Sequence, residues 1–226
     1  MTLLDRIDYF SVHRVFSRWE DYVSCFAKTQ QGGGSGLYEQ EPDASILQKA
    51  QEHRDHHERS IGDKEDVFVL VHPFFATQVH QETFTSQQQE THKQYLRNLE
   101  FLIDKQKTII VLDSAFHYAT ATSKLLEQGR INTVYFTQAK RGLLRDPQRV
   151  QRFRGRVFFG GCYSGICLSH AIKQHIGLDF YVLQDLSLAH PKHSPDLQTR
   201  NVSSGIRQEL LVPNNRFVQL SGAFSF

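Results

Sequence analysis

The chain has 226 residues, 39% of them apolar, enough to bury a real core, and this length favours one domain plus an extension over two equal domains. Its 26 basic against 24 acidic residues leave a formal charge of +2, which excludes a general electrostatic drive toward nucleic acid or membrane. No run approaches the roughly eighteen uncharged apolar residues of a membrane span, and the opening MTLLDRIDYFSVHRVF carries charges where a secretory signal needs its apolar segment, so a cytoplasmic site of action is expected. Three cysteines, Cys25, Cys162 and Cys167, are odd in number and unevenly spaced, which points to reduced thiols rather than a disulfide framework.

In chain order, the first thirty residues read as helix, because Leu3, Leu4, Ile7, Phe10, Val15, Phe16, Trp19 and Val23 recur close to a three-to-four residue period. A Gly/Ser-rich loop at 31–36 breaks that pattern, and a polar surface helix over 44–59 follows, with Asp43 or Ser45 as its cap. These segments form a helical N-terminal extension, residues 1–62. Within it His53, His56 and His57 share a helical face, and His53 with His57 could grip one Zn²⁺. The sequence places no third ligand beside them, so a solvated face is expected and no metal is assigned.

From residue 63 onward, short apolar runs alternate with helix-like stretches. DVFVLVH (66–72), KTIIVLDS (107–114), INTVYFTQ (131–138), RVFFGG (156–161) and DFYVLQD (179–185) are β-branched or aromatic, and NNRFVQLSG offers a sixth strand. The stretches between them, including the basic segment 140–156, are each long enough for a crossover helix. This predicts an α/β fold over 63–226: three α/β/α layers around a mostly parallel sheet of five or six strands. Ligands collect beyond the carboxyl ends of such strands, which singles out His72, Asp113, His117, Gln138, Lys140 and the segment Cys162–Cys167. The basic segment itself reads as a solvated surface, with an anion site as the sharper alternative.

The segment VFFGGCYSGICLSHAI (157–172) carries the strongest chemical signal. The pair Gly160–Gly161 permits a sharp turn, and a thiol held at the start of the next helix would have its thiolate stabilised by free N–H groups. No dinucleotide fingerprint, phosphate loop or serine-nucleophile elbow is present, so no cofactor is expected.

Residues 158–191, FFGGCYSGICLSHAIKQHIGLDFYVLQDLSLAHP, resemble the isochorismatase-like cysteine hydrolases of the nicotinamidase group, in which the nucleophile follows the strand-end glycine by six residues, as Cys167 follows Gly161. The resemblance implies a three-layer fold, Cys167 as nucleophile, and an oxyanion-binding turn with a non-proline cis peptide at Cys162–Tyr163. It also implies an Asp at the end of the first strand, where this chain has His72, and a Lys, for which Lys140 is the nearest candidate. His72 could replace the Asp, because imidazole deprotonates a thiol near neutral pH. Backbone around Tyr163, Ser164 and Gly165 would bind the substrate carbonyl, with Gln138 and Asp113 as further contacts. VFFGGCYSG is also similar to the Cys turn of caspase-like peptidases, which would make Cys162 the nucleophile and His117 its base.

The expected activity is hydrolysis of a small amide or related carbonyl compound. The alternative is a catalytically inactive binding or effector-type protein that meets a protein partner through its N-terminal helices. Nucleic acid and membrane are not expected partners, and self-association stays open.

Overall fold

A computed structural model describes residues 44–80, 83–118, 122–138, 142–198 and 214–224. The predicted helix of the first thirty residues, the Gly/Ser loop, Cys25 and Lys140 lie outside the described residues. The elements are α1 (Ala44–His57), β1 (Val67–Val71), α2 (Phe75–Val79), α3 (Ser86–Asp104), β2 (Thr108–Asp113), α4 (Ala115–His117), α5 (Ser123–Glu127), β3 (Thr133–Phe136), α6 (Gln148–Gln151), β4 (Val157–Cys162), α7 (Cys167–Gln174), β5 (Phe180–Leu188), β6 (Phe217–Val218) and α8 (Leu220–Ala223).

Among the described residues, six strands join one parallel sheet in the order β3-β2-β1-β4-β5-β6. The expected α/β architecture is therefore present. Every residue of β1 and β4 is buried, because alternate side chains enter two separate cores. Phe68, Leu70 and Phe158 pack on one face under Tyr95, Leu99, Leu102 and Ile103 of α3. Val67, Val69, Val71 and Phe159 pack on the other under Leu168, Ala171 and Ile172 of α7. Helix α3 starts where a capping box closes it: Thr85 accepts from the Gln88 amide, and the Gln88 side chain accepts from the Thr85 amide.

Among the described residues, the stretch 117–130 gives the end of α4, π-helical turns at Tyr118 and Thr122, and α5, while the basic segment 140–156 gives the short α6. Pro147 opens α6 and cannot continue a helix from before it. Gly142, at φ 61, lies so close to the Cys167 carbonyl that a side chain there would collide with it. The basic residues serve local structure: Arg156 pairs with Asp66, Arg149 lies 3.5 Å from Asp146, and Arg152 covers the Phe153 ring.

Helix α1 packs on the domain. Ala50 is wholly buried in the core that α3 covers, and the Arg54 guanidinium lies over the Phe136 ring at the end of β3. Just beyond α1, the Arg59 amide donates to the Asn132 carbonyl at 2.9 Å, while its guanidinium donates to the carbonyls of Gly129 and Ile131.

The strand order reverses direction between β1 and β4, which pair directly with Val71 opposite Gly161. Chain leaving β1 enters α3 on one face, and chain leaving β4 enters α7 on the other. A crevice beyond the carboxyl ends at this reversal is where such sheets bind ligands.

Candidate functional site

At the reversal, β4 ends in Cys162 and a non-proline cis peptide joins Cys162 to Tyr163. This is the bond at which the resemblance implied one. The turn Tyr163–Ile166 then delivers Cys167 as the first residue of α7. Gly161, at φ 122, has no room for a side chain against the Val71 carbonyl of β1, so only glycine lets the two central strands meet here.

The Cys167 sulfur is the better placed of the two for chemistry. It receives the backbone N–H of Tyr163 and of Cys167 itself, both favouring thiolate, while burial outweighs them and pushes the thiol up to about 12. The residue is 7% exposed, against 1% for Cys162. Cys162 lies within the core: its thiol approaches the Pro73 carbonyl at 4.0 Å and the Tyr95 hydroxyl at 3.9 Å. The Ala76 amide favours its thiolate, and burial again outweighs this and pushes the thiol up to about 12. His117, the base suggested for it, is not among its hydrogen-bond partners.

His72 follows β1 directly and takes φ 45, the left-handed region, as the chain turns toward α2. Its amide still donates to the Leu112 carbonyl of β2 at 2.8 Å. The ring is buried, and Nε2 lies 2.9 Å from Thr137 Oγ1 beyond β3. Burial lowers its pKa to about 4, so the imidazole is neutral at physiological pH. Among the described residues Nδ1 has no hydrogen-bond partner, and no hydrogen bond joins His72 to either sulfur. His117 stands beside it, ring centroids 5.9 Å apart.

Asp113 ends β2 and is fully buried. Desolvation raises its carboxyl to about 8, although Thr122 Oγ1 and the Ser114 amide both donate to it. Ser164 is committed to the fold rather than to a ligand, since its amide and hydroxyl both donate to the Leu188 carbonyl, at 2.8 and 3.1 Å. Gly165 is exposed on the turn, and Gln138 is exposed beyond β3 with its amide donating to the Leu143 carbonyl at 2.8 Å.

Tyr163 is buried in an aromatic group that sequence reasoning did not assemble. Its hydroxyl lies 2.6 Å from His80 Nδ1, its ring meets Phe75 edge-on at 5.6 Å, and His190 approaches at 4.9 Å. His190 in turn lies 5.3 Å from His193. Thr137 was likewise missed, although its position one residue beyond β3 marked it as clearly as Gln138. Among the described residues, no helix is long and apolar enough to cross a membrane.

No protein-family model matches the chain, and neither does any curated protein. Among solved structures, the chain is similar to the nicotinamidase SaPncA from Staphylococcus aureus, with 15% sequence identity and a TM-score of 0.44 over 70% of this chain and 98% of that one.

Proposed function

We propose that the domain is a thiol-dependent hydrolase of a small amide or related carbonyl compound, with Cys167 as its nucleophile. The observation that supports this reading is the seat of the Cys167 sulfur: it starts α7 at the strand reversal with two backbone N–H groups directed at it. Because both the thiol and the imidazole of His72 rest uncharged, the nucleophile would be generated during attack rather than stored as an ion pair.

The Cys167 proton passes to the Nδ1 lone pair of His72, in the tautomer whose Nε2–H donates to Thr137. A sulfur–carbon bond forms, and the carbonyl electrons move to oxygen facing the N–H groups of Tyr163 and Cys167. Return of that electron pair expels the amine, which takes the proton from His72, and water cleaves the thioester to the acid and free thiol. Lys140 is the proposed electrostatic helper, and Gln138 and Gly165 the proposed substrate contacts.

One observation favours a second reading, an inactive binding domain: His72 Nε2 faces Thr137, and no hydrogen bond links the ring to a sulfur. Incubation with 4-nitrophenyl acetate and a panel of small primary amides, followed by mass spectrometry of the peptides, separates the two. The hydrolase reading expects an acyl group on Cys167 that Cys167→Ala abolishes and Cys162→Ala retains. Turnover identical in wild type and Cys167→Ala, with no acylated peptide, would leave the binding-domain reading.

A further inference from the structure

The histidine face of α1 meets a carboxylate that lies 70 residues further along the chain. His53 and His57 stand one helical turn apart with ring centroids 4.6 Å apart. Glu127, at the end of α5, brings Oε1 within 3.5 Å of His53 Nε2. One ligand atom from each of the three residues lies within 4.8 Å of the other two, and all three side chains are half-buried. Donors bound to a tetrahedral ion at about 2.0–2.2 Å sit roughly 3.3–3.6 Å from one another, so rotamer adjustment alone can close the set.

A second group orients the first. His53 Nδ1 lies 2.5 Å from the hydroxyl of Tyr118, a residue with no exposed surface. With Nδ1 occupied by the phenol, Nε2 is the nitrogen directed at Glu127. This is the outer-shell contact that fixes tautomer and ring angle in metal-binding histidines. The positive charge of neighbouring Arg54 is paired with Asp55.

We propose that His53, His57 and Glu127 form a binding site for a divalent transition ion of the zinc class, which clasps α1 to α5. Two neutral imidazoles and one carboxylate are a donor set that such ions favour over Mg²⁺ or Ca²⁺, and the fourth position is left to water. The ion ties the N-terminal helix to the domain by coordination in addition to packing. The site lies on the helix that covers the β3 edge, and it does not depend on the proposed hydrolase chemistry.

The test uses the full chain after treatment with a chelator. Titration with Zn²⁺ followed by calorimetry is expected to give one site whose affinity falls at least about tenfold in each of His57→Ala and Glu127→Ala, and about tenfold in Tyr118→Phe. Co²⁺ is expected to give the intense visible bands of a four-coordinate ion, and Zn²⁺ to raise the melting temperature of wild type but not of His57→Ala. Far-UV circular dichroism checks that each variant is folded, and Glu127→Gln serves if Glu127→Ala is not. Binding that is unchanged in the folded His57 and Glu127 variants, or that is lost instead in His190→Ala/His193→Ala, overturns the proposal. So does the absence of stoichiometric binding by wild type.

Discussion

The sulfurs of Cys162 and Cys167 lie within five positions of each other, yet one lies in the core beneath Tyr95 with the Ala76 amide beside it, and the other starts a helix beside the amides of Tyr163 and Cys167. Both are buried, and burial pushes each thiol from an ordinary 9.0 up to about 12. A shift of that size lowers the thiolate fraction at neutral pH about a thousandfold. Iodoacetamide at pH 7 is therefore expected to modify both peptides far more slowly in the native protein than in urea, with Cys162 the slower; rapid native modification of Cys162 would contradict this. The same residues show why the sequence was only partly informative. Spacing to Gly161 singled out Cys167, but spacing carries no information on whether His72 turns toward the sulfur or toward Thr137.

Among elements, β4 is the most tightly constrained, since each of its residues is buried and its two glycines lie against neighbouring backbone. A Cβ at Gly161 would collide with the Val71 carbonyl at a φ that only glycine adopts readily. Gly161→Ala is expected to cost about 3 kcal/mol or more, by combined strain and clash, with urea unfolding as the measurement. A loss below about 1 kcal/mol would mean that β1 and β4 can separate at no great cost. Thr85→Ala removes one half of the capping box on α3 and is expected to cost about 1 kcal/mol in the same assay. Helix α3 was legible because helix-forming residues fill the stretch between two strands, with Tyr95, Leu96, Leu99, Leu102 and Ile103 at helical spacing in its second half. The basic segment was not, because Pro147 and two glycines divide it and the strand ends set its path.

For the whole molecule, buried ionisable groups set the response to pH, and they pull in two directions. His92 is buried on α3 beside Thr77, and burial lowers its pKa to about 4. The unfolded chain takes up that proton near pH 6.5, so it binds more protons than the folded state between about 6.5 and 4, and stability is lost as pH falls through that window. Asp113 acts oppositely: its folded pKa of about 8 lies above the ordinary 3.8, so the stability it contributes below 3.8 is lost as pH rises toward 8. His92→Gln is expected to shrink the fall in stability between pH 7.5 and 5 by on the order of 2 kcal/mol, and Asp113→Asn to reduce the fall from pH 5 to 8. Urea midpoints across this range check both, and a His92→Gln profile parallel to wild type would refute the first. The sequence by itself determined the α/β class, the six strands to within a few residues, and the turn that bears Cys167. It could do so because doubly buried strands and glycine-dependent turns write their requirements into contiguous residues. Only the tertiary structure decided that His72 faces Thr137, that Tyr163 meets His80, and that Glu127 stands beside His53. Those contacts join elements far apart in the chain, and their geometry follows from strand order and helix packing, which no local period encodes.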